Sequence, residues 1–188
     1  LNIGTPVASD NVGIASVTSN APAVFNSGTN QVVWTVTDTS GNSAVCTQIV
    51  AVLDVTTPQI AQLPAAQQGS AGAGCQAAVP NYASSVVASD DCTGSNSLTV
   101  TQSPTAGTLV GTGTNAVTIT VADGSGNSTQ SNVNFIVVDN TPPQITTCPT
   151  NQQVSASGGG TASVPDFTGG VVASDNCGSN SLTVTQSP

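Results

Sequence analysis

Along this chain, apolar and β-branched residues alternate with hydroxyl-bearing ones at a period of two, in runs broken by Gly, Pro, Asn and Asp. Val117, Ile119 and Val121 alternate with Thr118 and Thr120, and Val32, Trp34 and Val36 alternate with Val33 and Thr35. A strand with one buried face has this period, so each run is predicted to be one. Phe135 and Val137 extend the pattern into a following strand and match Val50 and Val52. Between the paired runs lie Asp-Gly-Ser-Gly-Asn at 123–127 and Asp-Thr-Ser-Gly-Asn at 38–42. These residues tolerate left-handed backbone and bond to their own turns, which predicts hairpin tips. Leu98 and Val100 predict a further strand, with a counterpart at Leu182 and Val184. Val79-Pro80 with Tyr82 returns as Val164-Pro165 with Phe167, which predicts an aromatic at the same place in each core. No helical-period segment of useful length is present.

The runs recur because the sequence does. VASDN at 7–11 returns as VASDD at 87–91 and VASDN at 172–176, and DVTTPQI at 54–60 returns as DNTPPQI at 139–145. A spacing of about 85 residues marks one folding unit used in tandem. About seven short strands per unit, with turn signals between them, predict an all-β fold of tandem immunoglobulin- or fibronectin-type β-sandwich repeats. Joints are expected at Asp54 and Asp139, where Pro-containing segments begin. The predicted organisation is the C-terminal part of a first repeat (1–54), a complete repeat (55–139) and the N-terminal part of a third (140–188). Both ends cut through a unit, so the chain reads as a window on a longer array.

Composition narrows the chemistry. The 188 residues include no Lys, Arg or His, and all nine acidic residues are Asp, giving a net charge of −9. With no cation to displace counterions from phosphate, nucleic-acid binding is not expected, nor is attachment to an anionic membrane. No stretch approaches the ~18 apolar residues of a membrane span. The 37% hydrophobic content argues for packed cores. Without His, Lys, Arg or Glu the usual bases and nucleophile activators are missing, so no enzymatic activity is expected. The Asp38-Thr39-Ser40-Gly41 run echoes an aspartic-protease motif, but its second copy at 123–126 lies in a separate repeat, which favours the turn reading.

The segments DNTPPQITTCP (139–149), ASDNC (173–177) and GTNAVTITVADGSGN (113–127), with the closing VVD (137–139), resemble the hyalin-repeat (HYR) family in their order. The resemblance implies an extracellular immunoglobulin-like module, used in tandem in surface, matrix and adhesion proteins and not itself catalytic. The family pattern offers four Cys positions per unit. Here Leu63 replaces the first and Ser131 the last in the middle unit, and Gly160 replaces the second in the third unit. Set against that pattern, the pairs implied are Cys75–Cys92 and Cys148–Cys177, with a partner for Cys148 beyond Pro188 as the alternative. Cys46 then bonds upstream or links chains. With no His and no C-x-x-C, structural disulfides are expected in place of a zinc or redox site.

The aspartates are the remaining chemistry. In an immunoglobulin-type sandwich the incoming linker, the loop between the second and third strands and the last hairpin meet at one end. Those segments supply Asp54, Asp90 with Asp91, and Asp123, while Asp139 and Asp175 hold corresponding places at the next joint. Two carboxylates ~4 Å apart repel by about 4 kcal/mol at an effective dielectric near 20, and no side chain of this protein can neutralise them. Either they spread into solvent as Asx-turns, or they share a hard cation such as Ca²⁺ at the joint between repeats. Asn127-Ser128-Thr129 is an N-glycosylation sequon, which fits a secreted module.

Two functions remain open. One is a secreted or cell-surface structural repeat of a fibre, stalk or matrix filament, whose partners are neighbouring repeats or copies of itself. The other is an adhesin or glycan-binding module, or a spacer in a secreted carbohydrate-active enzyme.

Overall fold

The computed structural model describes residues 1–178 and 181–187, and they are all-β. Strands β1 (Ile14–Ser19), β2 (Gly28–Asp38) and β3 (Ser43–Val52) form one antiparallel sheet in that order. The β2–β3 ladder runs from Gly28↔Val52 to Thr37↔Ser43, and a bulge between Ile14 and Ser16 interrupts β1. The expected alternation is realised: Val32, Trp34 and Val50 are buried and pack against Ile3, Ala21 and Phe25. Trp34 Nε1 donates to Gln48 Oε1 (2.9 Å), and Gln48 Nε2 donates to the carbonyl of Ile3 (3.0 Å). The core role expected of Trp34 thus includes satisfying its indole N–H.

The next repeat supplies β4 (Gln59–Gln62), β5 (Gln67–Ser70), β6 (Gln76–Ala78), β7 (Val87–Ser89), β8 (Thr99–Ser103), β9 (Leu109–Gly111), β10 (Gly113–Ala122) and β11 (Ser128–Val138). They form a four-stranded sheet ordered β5-β11-β10-β8 and the pairs β4-β7 and β6-β9. β5 runs parallel to β11, from Gln67↔Phe135 to Ser70↔Val138. The core is Val79, Tyr82, Val117, Ile119, Val121, Val133, Phe135 and Val137. Gly69 is required here, since a Cβ would come within 2.8 Å of Phe135 Cζ. Tyr82 is fully buried; its hydroxyl accepts from the Gln67 N–H (3.2 Å) and donates to the Asn134 carbonyl (3.1 Å).

Residues after 139 are sparser in structure. Strands β12 (Gln144–Thr147) and β13 (Val172–Ser174) pair antiparallel. The strand expected at Leu182 and Val184 does not form, because the ladder partner of its counterpart β8 is β10, and residues 140–187 contain no copy of β10. Phe167 is half-buried, not a core residue, for the same reason.

Both disulfide pairs implied by the family pattern are replaced by Cys75–Cys177, with Cα atoms 4.6 Å apart. Cys46, Cys92 and Cys148 are free and exposed. Local geometry explains the choice. The turn after Ala71 places Cys75 at φ +62°, and Asn176 Nδ2 donates to the carbonyls of Ala71 and Gly72 (3.1 Å each), bringing the neighbouring Cys177 against it. Cys92 instead sits on the acidic loop after β7.

The chain divides into two compact units. One gathers Leu1–Gln59, Ser89–Leu98 and Ala122–Ser128; the other gathers Ile60–Ala88, Thr99–Val121 and Thr129–Pro188. The loop after β7 and the β10–β11 tip therefore belong with the first 59 residues.

Candidate metal centre

Within the first of these units, three segments place carboxylates together. Asp54 follows the end of β3, Asp90 and Asp91 follow β7, and Asp123 opens the β10–β11 turn. One carboxylate oxygen each from Asp54, Asp90 and Asp123 lie within 4.8 Å of one another, and Asp54, Asp91 and Cys92 form a second such group. Asp90 and Asp123 fall in one group and Asp91 in the other, and Asp54 is common to both.

Each carboxylate is fixed from its own loop. Asp123 is 9% exposed; its Oδ1 accepts from the N–H groups of Ser125 (2.9 Å) and Asn127 (2.8 Å), and its Oδ2 from Asn127 Nδ2 (2.7 Å). Burial raises its pKa, but the Asn127 side chain and the N–H groups of the turn outweigh that and hold it below the usual carboxylate value. Asp90 Oδ1 accepts from the N–H groups of Cys92 (3.0 Å) and Thr93 (2.8 Å). Its Oδ2 is buried and has no hydrogen-bond partner. Asp54 Oδ2 accepts from Ser125 Oγ (3.3 Å), and its main-chain carbonyl accepts from Asn127 Nδ2 (3.3 Å). The Thr56 hydroxyl lies against both Asp54 Oδ1 (2.9 Å) and Asp91 Oδ1. Burial, and then the charges of Asp54, Asp91 and Asp90, push the Cys92 thiol above its ordinary pKa and keep it protonated.

Asp139 and Asp175 are not brought into a comparable group among the described residues. Asp139 repeats the turn made by Asp54, accepting from the Thr141 N–H (3.1 Å), and Asp175 accepts from the Cys177 N–H (2.8 Å). Residues 140–187 hold no counterpart of the Asp123 tip, and Asn176 stands where the middle repeat has Asp91. The glycosylation expectation for Asn127 also meets an obstacle. The nitrogen that would carry the sugar is bonded to Asp123 and to the Asp54 carbonyl in the folded chain.

The sequence reading missed the residues that hold the cluster in place. Ser125 and Asn127 were legible as turn formers, Asn127 also as a sequon, and Thr56 as part of the Pro-containing joint, although Asp-x-Thr-x-Pro and Asp-x-Ser-Gly-Asn each occur twice. Asp54, Asp90 and Asp123 make Asx-turn bonds and also lie in one group of neighbouring carboxylates.

Among solved structures, the chain is similar to a PcdhgB3 EC1-4 structure at 14% identity, covering 76% of this chain and 43% of that one with a TM-score of 0.33. The extracellular cadherin domains 1–5 of Protocadherin Gamma B2 match at 14% identity, 74% and 34% coverage and a TM-score of 0.32. The human Desmocollin-1 ectodomain matches at 14% identity, 66% and 29% coverage and a TM-score of 0.29. The chain spans less than half the length of each of these proteins. No curated protein matches. A family model does: residues 2–52, ending just before Asp54, match the HYR domain.

Proposed function

We propose that this chain is a non-catalytic structural repeat of an extracellular or cell-surface fibre, stalk or matrix filament, with Ca²⁺ held where one repeat meets the next. The observation that carries the reading is the cluster itself. The last residue of one sequence repeat, Asp54, shares it with Asp90 and Asp123 from two loops of the following repeat.

A polypeptide with no Lys, Arg or His cannot neutralise these groups internally. The buried, unpartnered oxygen of Asp90 is costly as a bare acceptor and suited to a cation. The donors are hard oxygens, the kind Ca²⁺ takes, and extracellular modules bind it at about 0.1–1 mM. Bound there, the ion would supply charge neutralisation and tie the Asp54 linker to the loops at Asp90 and Asp123. The Cys75–Cys177 bridge suits an oxidising compartment. No helix among the described residues is long and apolar enough to cross a membrane.

Thermal melting in ~5 mM CaCl₂ against chelator tests this. At tenfold excess over Kd, binding contributes about 1.4 kcal/mol, which raises Tm by roughly 3–6 °C for a chain of this size. Asp90→Asn relieves repulsion without the ion, so it raises Tm in chelator and removes the calcium response. A melting curve indifferent to calcium in the native chain sinks the metal reading. Electron microscopy of native material tests the fibre, which requires filaments with a regular axial repeat.

A further inference from the structure

Asn127 has two roles that its side-chain nitrogen cannot fill together. It is the acceptor of the Asn127-Ser128-Thr129 sequon, and an amide Nδ2 has two hydrogens to give. Both are engaged inside the fold. One goes to Asp123 Oδ2 (2.7 Å) and the other to the main-chain carbonyl of Asp54 (3.3 Å). The first bond fixes a carboxylate of the cluster, and the second ties down the segment that brings Asp54 to it. At the β2–β3 tip, Asn42 Nδ2 donates to Asp38 Oδ2 (2.7 Å) in the same way. Ala44 stands there in place of Thr129, however, so that tip has no sequon. Of the two copies, the one bonded to Asp54 is the one a glycosylating enzyme can read.

We infer that a sugar on Asn127 and the bonded Asp54–Asn127–Asp123 cluster are mutually exclusive, so that N-glycosylation before folding is a switch that loosens this joint. In the transfer, Nδ2 forms a bond to the anomeric carbon of a lipid-pyrophosphate-linked oligosaccharide. The bond from that carbon to the pyrophosphate oxygen breaks, the leaving pyrophosphate takes the electron pair, and one amide proton is released. The glycosylated nitrogen keeps a single hydrogen, so either Asp123 Oδ2 or the Asp54 carbonyl loses its donor. A bulky substituent also then stands on an atom 3.3 Å from that carbonyl. Whichever bond is lost, a member of the cluster is released. The exclusion runs the other way as well. In the folded chain Asn127 is half-buried with both hydrogens engaged, which withholds its nitrogen from the enzyme. The inference deepens the repeat-joint reading and rests on it.

The test offers a purified oligosaccharyltransferase, with its lipid-linked oligosaccharide, the folded full chain and, as an unfolded reference, a synthetic peptide of residues 123–131. Intact mass is expected to show the peptide modified and the folded chain bare. Equal modification of the two, or none of the peptide, overturns the inference. A second arm takes the chain made in a glycosylating host and trimmed to one N-acetylglucosamine, against Thr129→Ala from the same host. That substitution destroys the sequon and leaves the bonds of the Asp123 tip in place. The glycosylated chain is expected to bind calcium about tenfold more weakly, the effect of losing about one hydrogen bond, and to shift the NMR amide signals of Thr56 and Ser125. Unchanged affinity in chains that still bind calcium overturns the switch alone, as does a native chain that leaves the host unmodified. Shifted signals in a pair of chains that both ignore calcium support the switch and overturn the metal reading. Unchanged signals in such a pair overturn both.

Discussion

Tyr82 and Phe167 stand at the same place in two copies of one motif, yet Tyr82 is fully buried and Phe167 half-exposed. Val79 is 2% exposed and its counterpart Val164 is 62% exposed. The local sequences barely differ. What differs is the material across from them: β10 and β11 bring Val117, Ile119, Val121, Val133, Phe135 and Val137 to the middle copy, and residues 140–187 contain no such pair. Burial here is conferred by distant strands, not by the motif. The third segment is held in a different way, through the Cys75–Cys177 bridge and the Asn176 amide on Ala71 and Gly72. One copy is held by packing and the other by a staple.

Cutting the staple is expected to have the largest effect. The bridged cysteines are 102 residues apart, and releasing a loop of that size costs roughly 4–5 kcal/mol in the chain-entropy account. Cys177→Ser should therefore lower stability by about that much in urea unfolding, while Cys92→Ser and Cys148→Ser, at exposed free thiols, stay within about 0.5 kcal/mol. An equal loss from Cys92→Ser would return the bridge to Cys75–Cys92.

That pairing marks where the sequence stopped being readable. The alternation of Val32 with Trp34 and of Val117 with Ile119 is a local signal, and it produced the strands it predicted. Asp54, Asp90 and Asp123 could be picked out together because each sits in a turn motif that the sequence repeats. The bridge was not legible. It depends on a turn at Gly72–Cys75 meeting Asn176, a contact between segments about a hundred residues apart with no periodic signature. The missing strand at Leu182 and Val184 has a related cause: the side-chain pattern is present, but a strand exists only with a ladder partner.

Removing the packing is the next largest perturbation. Phe135 is 2% exposed and its ring lies over Gly69, so Phe135→Ala should cost about 4 kcal/mol through lost transfer and the cavity left behind. Phe167→Ala, at a half-exposed site, should cost less than about 1 kcal/mol in the same assay. Comparable losses at the two positions would mean that the third segment has a core of its own, and the contrast between packing and staple would fail.

The finest test exchanges the two aromatics. Tyr82→Phe keeps the ring and removes a hydroxyl that accepts from the Gln67 N–H and donates to the Asn134 carbonyl, linking β5 to β11. Both bonds are only partly buried, so water can take over part of each. The expected cost is therefore near that of one net hydrogen bond, about 1 kcal/mol, and not the larger penalty of a stranded buried group. Phe167→Tyr places the same hydroxyl where no β11 counterpart offers a carbonyl and where solvent already reaches the ring, so it should be neutral within about 0.5 kcal/mol. If Phe167→Tyr stabilised the chain as much as Tyr82→Phe destabilised it, the hydroxyl's value would lie in the motif itself, and the distant strands would not be what distinguishes the two copies.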